Sequence, residues 1–326
     1  MTQFDRSWIN YLTENNSMLK MPGESYSGLL PQLTEAEISL KYSLQQDLHK
    51  LVIEIGERNY LNYSQLIDTA DFIAREFSRC DYQVRRQSYQ VDTQIFENLE
   101  VEIQGSYQPE QIVVVGGHYD SVFNCPGAND NGTGTAAVLE LARAFAGKKI
   151  SITLRFVEFV NEEPPFFMTP NMGSLVYAKN CRQNQENIVA MLSLETIGYY
   201  SDELGSQKFP PGLDNFYPST GNYITFVSNM ANRKLVCDVI ASFRRHTKFP
   251  SEGAAVPELF TGVDLSDHWA FWQQNYPALM VTDTAFLRYP YYHQPEDTPD
   301  KIDFDRFTRV VAGLERVIAD FVGVIQ

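Results

Sequence analysis

Residues 112–131 read IVVVGGHYDSVFNCPGANDN, and this stretch decides the fold. Ile112 to Gly117 is apolar without alternation, the pattern of a central strand covered by helices on both faces. Polar residues follow at once in His118, Tyr119 and Asp120, and Asp130 opens an amphipathic stretch. Working outward, the pattern predicts helix 132–146, strand 152–160, helix 173–181, strand 190–195, strand 223–228, helix 231–246, strand 278–282 and helix 304–321. Upstream, Thr34-x-x-Glu37 is a helix-capping pattern, and residues 64–80 place Leu66, Ala70, Ile73 and Phe77 on one side of a second helix. YQVRRQSYQV (82–91) and NLEVEIQG (98–105) read as strands. This alternation predicts an α/β fold, a three-layer α/β/α sandwich around a central mixed, mostly parallel sheet.

Residues 1–40 are polar and interrupted by Pro22 and Pro31, so they are expected to form an extension packed on a single catalytic domain spanning 41–326. No internal repeat, low-complexity tract or flexible linker divides that span. The 199–221 segment is the longest irregular stretch, and such a loop in a folded domain is usually functional or mobile.

Charge excludes some partners. With 26 Lys and Arg against 41 Asp and Glu, the net charge is −15, and no basic run exceeds two residues. The electrostatic attraction that carries most nucleic-acid binding is therefore missing. No stretch approaches the roughly 20 apolar residues that span a bilayer, so no membrane partner is expected either. The first residues lack a basic start followed by an apolar segment, which predicts a cytoplasmic protein; a secreted protein whose signal had been trimmed would read the same. Cys80, Cys125, Cys181 and Cys237 are widely spaced, which suits free thiols. The oligomeric state is left open.

In open α/β sheets, ligands bind beyond the carboxyl ends of the strands. After the apolar runs stand His118 and Asp120, then Glu162 and Glu163, then Glu195, and after residue 283 the chain reaches Tyr292 and His293. Singly, each has an ordinary explanation. A histidine after a strand is more often structural than a ligand, and Asp130 alone is an ordinary helix cap. Adjacent Glu162 and Glu163 are different, because neighbouring carboxylates repel unless a cation or proton lies between them. Imidazole and carboxylate donors without thiolate suit zinc, and five such groups exceed the three that one catalytic zinc usually takes. The sequence has no His-Glu-x-x-His and no Gly-x-Ser-x-Gly, which removes the chemistries those motifs carry.

The strings GGHYDS (116–121), PGANDNGTGTAAVLELAR (126–143), FVNEE (159–163), LETIG (194–198), SDHWAFW (266–272) and YYHQPEDT (291–298) resemble the two-zinc exopeptidases of the aminopeptidase Y type. These are relatives of glutamate carboxypeptidase II and glutaminyl cyclases, in metallopeptidase clan MH. The resemblance runs over roughly residues 45–325. It implies two zinc ions bridged by Asp130, with His118 and Glu195 completing one site and Glu163 and His293 the other. Glu162 would be the general base, Asp120 the carboxylate that orients the His118 imidazole, and Tyr292 a donor to the developing oxyanion. The implied substrate is a peptide. Glu195 stands where many members have Asp, and the family commonly has a cis peptide after the bridging Asp, here Asp130–Asn131.

His268 is read as positioning a loop rather than binding metal, Asp267 as a group that could meet a substrate amine, and Cys125 as a bystander thiol. His49 and His246 read as helix residues of the surface or core. Residues 164–170 (PPFFMTP) and Tyr199, Tyr200, Tyr289 and Tyr291 are candidates for a substrate pocket, with core packing an equal explanation. Aminopeptidase activity leads. A carboxypeptidase or dipeptidase would need an arginine for the terminal carboxylate, with Arg288 the nearest of Arg155, Arg182, Arg244, Arg245 and Arg288. A glutaminyl cyclase would use one zinc, and a non-catalytic binding protein would be expected to have lost ligands.

Overall fold

The computed structural model describes residues 19–210 and 213–325. Residues 1–18, which belong to the expected extension, lie outside the described residues. The first helix, α1 (Glu35–His49), starts where the capping pattern predicts: the Thr34 hydroxyl accepts from the Glu37 amide at 3.2 Å, and the Glu37 carboxylate accepts from the Thr34 amide at 2.7 Å. A wider π-helical turn, Lys50–Ile55, ends it at Gly56. Helix α2 (Tyr63–Arg79) buries Leu66, Ala70, Ile73 and Phe77 as its spacing requires.

Eight strands follow: β1 (Arg85–Val91), β2 (Gln94–Ile103), β3 (Gln108–His118), β4 (Ile152–Phe159), β5 (Asn187–Glu195), β6 (Ile224–Asn229), β7 (Ser251–Val256) and β8 (Ala278–Thr282). Between and after them lie α3 (Gly134–Phe145), α4 (Gly173–Gln183), α5 (Arg233–His246), α6 (His268–Trp272) and α7 (Phe304–Val322). The strands form one sheet in the order β1-β2-β4-β3-β5-β8-β6-β7. The β4-β3-β5-β8 block is parallel throughout, and β6-β7 is parallel as well, whereas β1-β2, β2-β4 and β8-β6 are antiparallel.

Alternation along the strands divides the interior into two cores. Val113 and Val115 face a core that includes residues of α1, α2, α3, α5 and α7, while Ile112 and Val114 face a second one with Leu175 and Tyr177 of α4 and Phe271 of α6. The expected three layers are present. Strand β7 was not anticipated: SEGAAV is poor in β-formers, and pairing with β6 supplies what propensity lacks. Gly253 in it has no room for a side chain, since a Cβ there would lie 2.8 Å from Met21 Cγ. The segment carrying Met21 lies against this end of the sheet, with the Ser251 amide donating to Ser25 Oγ and Arg244 to the carbonyls of Pro22 and Gly23. Among the described residues, no helix is long and apolar enough to cross a membrane.

Candidate metal centre and active site

Four neighbouring parallel strands end side by side, and the chain beyond each delivers one part of the site. His118 closes β3, Glu162 and Glu163 follow β4, Glu195 closes β5, and His293 follows β8 by a loop. The topology thus brings together residues as far apart in sequence as His118 and His293.

At the centre is Asp130, which is buried, with one carboxylate oxygen turned to each histidine. Oδ1 lies 3.4 Å from His118 Nε2, and Oδ2 lies 3.0 Å from His293 Nε2. His118 Nε2 is also 3.2 Å from Glu195 Oε2, and His293 Nε2 is 3.4 Å from Glu163 Oε2. Yet Asp130 Oδ2, Glu163 Oε1 and His293 Nε2 make no hydrogen bond. Buried donor atoms this close that do not bond one another are arranged to share a third body. Ligand atoms of His118, Asp130 and Glu163 lie within 4.8 Å of one another, and so do those of His118, Glu162 and Glu195. The nitrogen and carboxylate donors, without thiolate, fit zinc. Glu162 is near enough to His118 (3.8 Å) to be a ligand as well as a base.

The electrostatics agree with a cation. Burial pushes the Glu162 carboxyl well above its ordinary range, and burial together with the Asp130 and Glu162 charges does the same to Glu163. Glu195 is raised by burial, with His118 working against it. Burial also disfavours charge on Asp130, but the two histidines overcome it and hold that carboxyl below the usual carboxylate range. Burial opposes charge on His118 too, and Glu162 and Glu195 reverse it. Such mutual dependence marks carboxylates that need a positive partner.

The loop that presents Asp130 is stitched in place by its neighbours. Asn131 donates to the Leu194 carbonyl at 2.8 Å and accepts from the amides of Gly134 and Thr196, while Asn129 accepts from the Gly198 amide at 2.9 Å and donates to Asp283. The Asp130–Asn131 peptide is cis, as expected. Gly127 has φ 65°, and a Cβ there would lie 2.5 Å from the Asp130 carbonyl.

Two buried charges grip this loop, and neither was singled out from the sequence. Arg58 is fully buried and donates to the carbonyls of Tyr119 (2.7 Å), Pro126 (2.7 Å) and Gly127 (2.9 Å). Asp297 accepts from the amides of Asn129 (2.8 Å) and Asp130 (3.1 Å) and from the Tyr289 hydroxyl (2.6 Å). A signal for Asp297 existed in the YYHQPEDT motif, whereas Arg58 stands alone in its stretch of sequence. Asp297→Asn would turn an amide donor towards the Asp130 amide, so the variant is expected to bind zinc about 10- to 100-fold more weakly. Competition with a chromophoric chelator measures this.

Asp120 has a wider role than the sequence suggested. Its Oδ1 is 3.6 Å from His118 Nδ1, but its two oxygens accept from the backbone amides of Glu162 and Glu163, both at 3.1 Å, fixing the acidic pair. Tyr292 stacks on His293 with ring centroids 3.9 Å apart, and burial and the surrounding carboxylates keep its phenol protonated. Ser266 donates to Glu195 Oε2 at 2.8 Å and so restrains the longer arm. Asp267 is fully buried beneath the site, not exposed to a substrate amine, and burial raises its carboxyl to about 7. His268 is buried, bonds the Val263 carbonyl at 2.8 Å and packs on Trp272, as a positioning residue does. Cys125 is buried, 4.0 Å from Asp297.

An apolar chamber opens beside Glu195 and Tyr292 and runs over β8, β6 and β7. Its roof is formed by irregular segments, with Phe209, Leu213, Phe260, Phe286 and Leu287. The residues proposed from sequence for a pocket are not its lining. Phe166 packs on Tyr60 and Phe96, Tyr200 on Phe249, and Tyr289 between Tyr199 and Tyr291. Arg288 is buried as well, donating to Gln207 and to the Tyr223 carbonyl.

The profile of Peptidase family M28 matches residues 98–318, which contain every residue of the centre. The uncharacterized protein YfbL of Escherichia coli is 31% identical over 280 residues, covering 83% of this chain and 85% of that protein. A probable leucine aminopeptidase of Arthroderma otae is 26% identical over 285 residues, covering 81% of this chain and 68% of that one. Among solved structures, the zinc aminopeptidase BSAP of Bacillus subtilis superposes with a TM-score of 0.69 at 15% identity, covering 88% and 95% of the two chains. Glutaminyl cyclases share the fold too. Strand order, the motifs at the strand ends and the profile across two thirds of the sequence agree: the chain belongs to Peptidase family M28.

Proposed function

We propose that this chain is a zinc-dependent aminopeptidase that removes N-terminal residues from peptides and works with two ions. The observation that carries the reading is Asp130, whose two oxygens face separate histidines inside a ring of buried carboxylates. In this reading His118 and Glu195 would hold one zinc, Glu163 and His293 would hold the other, and Asp130 would serve both. Zinc supplies an acidified water and an electrophile for the scissile carbonyl. Glu162 takes the proton of the attacking water and hands it to the leaving amine. Burial raises its carboxyl above the ordinary range, which strengthens its hold on the proton it takes before passing it on. Tyr292, held protonated, donates to the oxygen on which charge develops. Asp120 keeps Glu162 and Glu163 in register by holding their amides.

Aminopeptidase is favoured over carboxypeptidase because, among the described residues, no Arg or Lys lines the chamber beside Glu195. Arg288 is buried and outside that lining, donating through Nε to Gln207 and through Nη1 to the Tyr223 carbonyl, with Nη2 left without a hydrogen-bond partner among the described residues. Arg155 is tied to Glu102 and Glu186, and Arg245 to Asp320. Four donor residues around one central carboxylate, five in all, favour two ions over the single zinc of a cyclase. The test is a set of short peptides, free or acetylated at the amino end, incubated with zinc-loaded protein and followed by mass spectrometry. Stepwise loss of residues from the free amino ends alone is expected. Shortening from the carboxyl end, or ring closure of glutaminyl peptides without hydrolysis, would overturn the reading.

A further inference from the structure

The floor of the apolar chamber is built in register with the metal centre. Glu195 on β5 pairs with Thr282 on β8, Thr282 with Thr225 on β6, and Thr225 with Glu252 on β7. All four line the chamber. One row across the sheet therefore begins at a candidate zinc ligand and ends at a second carboxylate, three strand spacings or about 14 Å away. Beside it runs a parallel apolar row, Met280 to Val227 to Ala254, also in the lining. The floor is greasy along its length and acidic at its far end.

Glu252 is not satisfied by the charge nearest to it. Arg244 Nη2 is 3.7 Å from its Oε2, beyond hydrogen-bond reach, and the guanidinium is spent on Ser251 Oγ and the carbonyls of Ser251, Pro22 and Gly23. Burial outweighs both Arg244 and a hydrogen bond from the Ser25 side chain, and leaves the Glu252 carboxyl above its ordinary range. The side chain keeps 20% of its surface exposed, so an incoming group can reach it.

From this geometry we infer that the chamber selects a long basic N-terminal side chain, arginine or lysine, with Glu252 as its specificity-determining residue. The inference rests on the aminopeptidase reading. Thr282 lies one strand spacing from Glu195 and two from Glu252, so a substrate α-carbon seated over Thr282, next to the metal centre, would stand about 10 Å short of the Glu252 position. An extended arginine side chain reaches about 7 Å from its α-carbon, and a hydrogen bond of about 3 Å closes the remainder. Its methylene stem lies along the apolar row while its head leaves water for the carboxylate, as such side chains do. Leucine fits the near half of the chamber and stops short of Glu252.

The test compares kcat/KM for peptides that begin with arginine, citrulline, norleucine or leucine, using zinc-loaded wild-type and Glu252→Gln proteins. Citrulline keeps the shape of arginine and lacks its charge. Wild-type protein is expected to favour arginine over citrulline by about 10- to 100-fold, the weight of a charged hydrogen bond, and Glu252→Gln to bring that ratio close to one. Equal rates for arginine and citrulline in the wild-type protein would overturn the inference. So would a ratio that Glu252→Gln does not move. If leucine is released in those cases, the aminopeptidase reading stands and only the specificity fails. Release of no amino-terminal residue from any of the four peptides would end both.

Discussion

Glu162→Gln is expected to lower kcat for peptide hydrolysis by about 10²- to 10⁴-fold, the usual contribution of a positioned general base. Glutamine keeps the size of the side chain and can neither take nor return a proton. KM is expected to change little, because the lost interaction belongs to the transition state. Metal analysis of the same variant separates the two roles open to this residue. An unchanged zinc content identifies a base, whereas loss of an ion identifies a ligand, the other role permitted by its 3.8 Å distance to His118. Steady-state kinetics and mass-spectrometric metal counting on one preparation decide between them.

Chelation is expected to abolish hydrolysis and to lower the thermal midpoint by several degrees, with both restored by zinc. Two histidines and four buried carboxylates would be left without their common partner, and a ligand present at 1,000 times its dissociation constant stabilises a fold by about 4 kcal/mol. The apoprotein should also acquire a pH dependence. Glu162 and Glu163 are raised by burial, and burial lifts Asp267 and Asp297 from 3.8 to about 7. A carboxyl whose folded pKa exceeds its unfolded one binds more protons in the native state. Its stabilising effect is therefore present at low pH and lost as pH rises through the folded value. Apoprotein stability should thus fall between about pH 4 and 7, and bound zinc should flatten that slope for the carboxylates it neutralises. Thermal melts at a series of pH values, with and without zinc, measure it.

Much of the centre was legible in the sequence because each of its parts is local. An unalternating strand followed at once by His118 announces a strand end facing a crevice, and the Glu162-Glu163 pair announces a missing cation. What lay beyond reading depends on distant pairing. Arg58 is a lone arginine in sequence and a grip on Pro126 and Gly127 in space. SEGAAV has no strand signature, yet its pairing with β6 carries Glu252 to the end of the chamber floor. Tyr289, beside a motif, spends its hydroxyl on Asp297, whereas the chamber lining comes in part from the 199–221 segment, whose irregular length is visible in the sequence but whose packing over β6 and β7 is not.

The grip on the bridging loop has one more consequence. The amides of Asn129 and Asp130 are both bonded to a buried carboxylate, so neither can meet solvent deuterium unless Asp297 lets go of them. Letting go also frees the Asp130 side chain from its place between the histidines. Hydrogen exchange at these two amides therefore reads out, without any substrate, how often the centre opens far enough to release its metal.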